Sequence, residues 1–116
     1  DSVPALNNLA WAQQQEKDPR ALATAERAYK LAPANPAVLD TYGWLLVEQG
    51  DSARGVPLLQ KAVAAAPNAT EMRYHLAVGL SKAGDKPAAR KELESLLASK
   101  QPFAHAEQAR SLLKTL

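Results

Sequence analysis

Trp11 and Trp44 are the two tryptophans of the chain, 33 residues apart, and Tyr74 lies further along. An aromatic row beside amides and carboxylates has the makings of a binding face. Such rings bury large areas and donate hydrogen bonds at low entropic cost. The same indoles could instead fill space between neighbouring helices, and the two roles can coexist, one edge buried and one open. His75 reads as a hydrogen-bonding residue that can also make a pH-sensitive contact, because imidazole titrates near neutrality. His105 reads as a surface residue near the C-terminus.

Reaction chemistry finds little to work with. The chain has no cysteine, which excludes a disulfide framework, a thiolate metal site and a catalytic thiol. There is no nucleophile elbow, no HExxH helix and no glycine loop for phosphate. Glu92 and Glu94 lie two apart on a helix and so face different ways. No His, Asp and Glu grouping has metal-ligand spacing. The expectation is a protein that is not an enzyme and carries no metal or cofactor.

The 116 residues suffice for one domain, with 47% hydrophobic residues to build its core. Alanine and leucine make up about a third of the chain, a bias typical of helical proteins. Net charge is +2, too small for a nucleic-acid footprint. The basic residues lean toward the C-terminal half, which reads as a solvated face. No apolar run approaches the roughly 18 residues of a membrane-spanning helix, so direct membrane insertion by this segment is not expected. A start at Asp1, with no initiator methionine, suggests a processed chain or a piece of a longer repeat protein.

The elements that must position these residues recur. Gly50-Asp51 returns as Gly84-Asp85, Leu46 as Leu80, and Pro33 as Pro67, all at one common interval. That interval matches the helix-turn-helix repeat period of about 34 residues. The first unit is a residue short, near Lys17-Asp18. Self-similarity at this period marks a stack of helix pairs. Apolar spacing of three and four within each unit predicts helices near 4–16, 19–31, 36–49, 52–65, 70–83 and 86–99. A seventh, near 103–115, reads as a cover for the last repeat. Asp18-Pro19 and Asn35-Pro36 read as N-caps followed by first-turn prolines, and Asp51 as the cap of the fourth helix. Gly55 and Pro57 sit badly inside that helix and predict a late start or a kink. Gly79 reads as a point of close helix approach.

These residues resemble the tetratricopeptide repeat family. The middle unit carries its pattern as Leu39, Tyr42-Gly43, Leu46, Gly50-Asp51, Leu59, Ala62 and Pro67, with Gly55 where alanine is usual. The third carries Leu76-Ala77, Leu80, Gly84-Asp85, Ala89 and Leu93, and departs at Leu96 and Gln101. The resemblance implies an all-α, right-handed solenoid of three helix-turn-helix repeats, at about 2–34, 35–68 and 69–102, plus a capping helix at 103–116. It also implies a concave face lined by the first helix of each repeat. That face would present Asn7, Asn8, Trp11, Gln14 and Gln15 from the first repeat. The second would add Asp40, Thr41, Trp44, Val47 and Glu48. The third would add Glu71, Tyr74, His75, Val78, Ser81 and Lys82.

Family members that grip chaperone C-terminal carboxylates use a clamp of Lys, Asn, Asn, Lys and Arg. The matching positions here hold Asn7, Trp11, Thr41, Glu71 and His75, so no such binding is expected. The wording of the second and third repeats is also similar to the C-terminal repeats of the large repeat lipoproteins of the bacterial PEP-CTERM/exosortase system. That likeness implies an envelope protein linked with exopolysaccharide and protein sorting, on the periplasmic side; otherwise the chain would be cytoplasmic. The leading expectation is an adaptor that holds a protein or peptide of unknown identity in the concave groove. The alternatives are a spacer or self-association segment of a longer solenoid, and carbohydrate contact through Trp11, Trp44 and Tyr74.

Overall fold

The computed structural model describes residues 2–116, so Asp1 lies outside the described residues. They form seven helices and no strand: α1 (Val3–Gln15), α2 (Ala21–Leu31), α3 (Pro36–Glu48), α4 (Ser52–Ala65), α5 (Thr70–Lys82), α6 (Lys86–Ala98) and α7 (Ala106–Thr115). The first six pair into three helix-turn-helix repeats that stack as a solenoid, and α7 covers the last of them.

Local chemistry sets the boundaries. Asn35 Oδ1 accepts from the Ala37 backbone N–H at 2.9 Å, with Pro36 in the first turn of α3. Asp51 and Asp85 accept from the N–H groups of Arg54 and Ala88, each at 3.2 Å, and so cap α4 and α6. Gly50 and Gly84 end α3 and α5 in the left-handed region, at φ 90° and 88°. Lys17 takes that place after α1 at φ 58°. Asp18 N–H then bonds Gln13 O, as Asp51 N–H bonds Leu46 O and Asp85 N–H bonds Leu80 O.

The turn is therefore the same in all three repeats, and the missing residue falls after Asp18. This corrects two expectations. Asp18 does not cap a helix from 19; it accepts from the backbone N–H and guanidinium of Arg20, and α2 begins at Ala21 with no side-chain cap. Nor does α4 start late. It is helical from Ser52 through Pro57, whose ring lies at the exposed surface, as does Ala53, the residue whose carbonyl loses a partner.

Gly55 is where the helices come closest. A Cβ on it would stand 2.6 Å from the Gly43 carbonyl oxygen and 2.7 Å from Val47 Cγ2. Gly79 meets Val47 Cγ2 at 3.2 Å in the same way. The core runs along the stack. Tyr42, Leu45 and Leu46 pack on Ala10, Ala21 and Ala25 between the first two repeats. Val47, Leu59, Leu76, Leu80 and Ala89 join the second to the third. Ala77, Leu93 and Ala109 seat α7, with Tyr74, Phe103, Leu112 and Leu113 around them. α7 starts at Ala106, three residues later than expected. Phe103 packs on Tyr74, and Glu71 Oε1 accepts the Ala104 N–H at 3.1 Å, which holds the approach in a turn.

Candidate functional site

α1 meets α3 directly and α3 meets α5, whereas α2 and α4 reach the next repeat mainly through its first helix. The first helices therefore line the inner side of the curve. Their side chains are joined across it by a polar and aromatic lattice. Trp11 Nε1–H donates to Thr41 Oγ1 at 2.7 Å, and the Thr41 hydroxyl donates to the Ala37 carbonyl at 2.9 Å. His75 meets Asp40 Oδ1 through Nδ1 at 2.8 Å. A carboxylate only accepts, so Nδ1 carries the proton. The His75 ring stacks on Trp44 at 4.3 Å and lies 5.8 Å from Trp11. Gln14 Nε2 donates to Glu48 Oε1 at 3.1 Å.

At the C-terminal end the lattice continues into the approach to α7. His105 Nδ1 bonds Glu71 Oε2, and its ring lies parallel to Tyr74 at 5.0 Å. Burial, and then the nearby Glu71 carboxylate, push the Tyr74 phenol above its ordinary value.

The expected residues thus divide. Trp11, Trp44, Tyr74, Asn7, Gln14, Glu71, Val78 and Ser81 are half-buried, and Asn8, Gln15, Glu48 and Lys82 are exposed. Asp40 and His75, each 7% exposed, and Thr41, 1%, are buried members of the lattice rather than open contacts. Val47 is a correction: at 1% exposure it belongs to the core, where Gly55 and Gly79 make room for it. His105 lies at the surface at the start of α7, as expected, and is also tied to Glu71 and Tyr74. Phe103 was not foreseen as a site neighbour. Glu71 and His105 lie one repeat period apart, as do Gln14 and Glu48. Pairing polar residues at that period would have found both.

A second concavity lies on the outer side, a cleft of about 310 Å³ lined by Tyr29, Tyr42, Pro57 and Leu58. Arg54 Nη2 donates to Tyr42 Oη at 2.9 Å, and the Tyr42 hydroxyl donates to Glu26 at 3.3 Å. Among the described residues no group of three or more His, Cys, Asp or Glu could hold a metal ion. Among them, too, no helix is long and apolar enough to cross a membrane.

Stacked antiparallel helix pairs with a side-chain lattice along their inner helices define a helical repeat protein. The chain belongs to the tetratricopeptide repeat family, whose model matches residues 46–113. Repeats of this family mediate protein–protein interaction. No curated protein matches the chain. Among solved structures it resembles a mutant O-GlcNAc transferase of Thermobaculum terrenum, at 28% identity and a TM-score of 0.83 over 96% of this chain and 21% of that one. It resembles a MamA mutant at 26% identity and a TM-score of 0.74, over 84% of this chain and 58% of that one. It also resembles the globular C-terminal domain of P. aeruginosa LpoP, at 26% identity and a TM-score of 0.68, over 81% of this chain and 93% of that one. The chain thus spans about a fifth of the transferase and under two thirds of the MamA chain.

Proposed function

We propose that this chain is a non-catalytic adaptor that holds a segment of another protein along the inner face of α1, α3 and α5. The observation that carries the reading is the lattice that fixes both indoles, Trp11 through Thr41 and Trp44 through the His75 stack. Each indole remains half-buried rather than enclosed, beside the exposed Asn8, Gln15 and Glu48. Rings locked in one geometry before a partner arrives lose little further entropy on binding. The likeness of the second and third repeats to envelope lipoproteins of the PEP-CTERM system supports a place for the parent protein in envelope sorting machinery.

Affinity capture with the wild type, Trp44→Ala and Glu48→Lys as baits tests the adaptor. A protein enriched by the wild type and lost from both variants, with unchanged circular dichroism, supports it. Identical capture by all three sinks it. Trp44 also touches the core, so Glu48→Lys, at an exposed position, separates lost binding from lost folding.

A second reading, self-association, is favoured by Leu9. It is 46% exposed, while Tyr42, its counterpart in the second repeat, is 4% exposed against the preceding repeat. Sedimentation that reports a monomer at every concentration would exclude it. Sugar stacking loses support, because Trp44 and Tyr74 each give a ring face to a histidine.

A further inference from the structure

Charge is sorted by helix. The outer helices α2, α4 and α6 carry seven bases and three acids. The inner helices carry Asp40, Glu48 and Glu71 against Arg73 and Lys82. Arg73 is turned away from the inner face, its Nη2 on Glu92 at 3.3 Å and on Ser95 at 2.7 Å, both on α6. Lys82, in the last turn of α5, is then the one base these helices leave to that face. The inner helices of this chain of net charge +2 thus carry a small excess of carboxylate, with Asp40 and Glu71 bonded to His75 and His105 and Glu48 exposed.

One carboxylate there is left open. Glu48 is exposed and gives one oxygen to Gln14, leaving the other open. An exposed carboxylate beside half-open indoles is complementary to a segment that carries positive charge.

We infer, building on the adaptor reading above, that the inner face receives a cationic chain segment. An arginine or lysine stem lies along Trp11 and Trp44 with its head at Glu48.

The only tryptophans lie on this face, so their emission reports occupancy. The probe is a blocked peptide of three Gly-Ser-Arg repeats, compared with the same peptide carrying citrulline or glutamate in place of arginine. The arginine peptide is expected to change the emission saturably, with affinity falling as salt rises. The citrulline peptide should bind roughly tenfold more weakly, and Glu48→Gln should weaken the arginine peptide about fivefold. Equal binding of the citrulline and arginine peptides overturns the cationic assignment and leaves the groove reading intact. Preference for the glutamate peptide overturns it too, as does unchanged emission with all three; the capture experiment then judges the groove by itself.

Discussion

The Thr41 hydroxyl is bonded on both sides, to the indole of Trp11 and to the Ala37 carbonyl. Valine has the same shape without the hydroxyl, so Thr41→Val would leave the indole N–H without its acceptor. The expected loss is about 1 kcal/mol by urea unfolding, with a red-shifted emission as Trp11 loosens. An unchanged spectrum and midpoint would remove Thr41 from its fixing role. The phenols give a pH prediction. Burial comes first in raising both Tyr42 and Tyr74 above 10.0, with acidic neighbours adding to it. A raised folded value means that the neutral phenol is favoured by folding. The stability it supplies is complete below pH 10 and drains away as pH rises through the folded values. Urea midpoints should therefore fall above pH 10, and Tyr74→Phe should flatten part of that fall. The indole pair was legible in the sequence because its spacing repeats. Val47 was misplaced because helical period assigns a direction, not a depth. Its register partners Gln14 and Ser81 are half-buried, and only Val47 has glycines opposite it on two neighbouring helices.

At the level of the helices, Gly55, which breaks the family pattern, fits its surroundings closely. Alanine is the usual residue at Gly55 and is favoured in a helix by about 1 kcal/mol. Here its Cβ would meet the Gly43 carbonyl oxygen at 2.6 Å, a backbone atom that cannot swing aside. Overpacking of that kind costs about 1–3 kcal/mol, so Gly55→Ala is expected to destabilise by a net 1 kcal/mol or so. Thermal unfolding checks it, and a raised midpoint would show that α3 and α4 part easily. Most helix boundaries were readable because caps are local: Asn35, Asp51, Gly50 and Gly84 act through bonds to residues two to five away. The two misjudged starts, at α2 and α7, depend on something else. α2 lost the residue that would carry Asp18 into a capping position. The approach to α7 is fixed by Glu71 and Tyr74, far upstream in the chain, and no local pattern announces that.

Across the whole molecule, stability in a solenoid is close to a sum over units and the interfaces between neighbours. Removing one end should therefore be felt near that end. α7 closes the third repeat by packing Ala109, Leu112 and Leu113 against Ala77, Leu93 and Leu97. It has no direct packing on the first repeat. Deleting residues 103–116 would bare Leu93 and Leu97 and also remove His105 from Glu71 and Tyr74. Hydrogen exchange is then expected to accelerate strongly in α5 and α6 and little in α1 and α2, with α3 and α4 between. If protection fell equally in all six helices, the molecule would be one cooperative unit, and the lattice along the inner face would be the element coupling it. Repeating the measurement on Asp40→Asn separates the two cases. That change weakens the α3–α5 rung without baring the core, so it should loosen the middle and third repeats together only if the rungs carry the coupling.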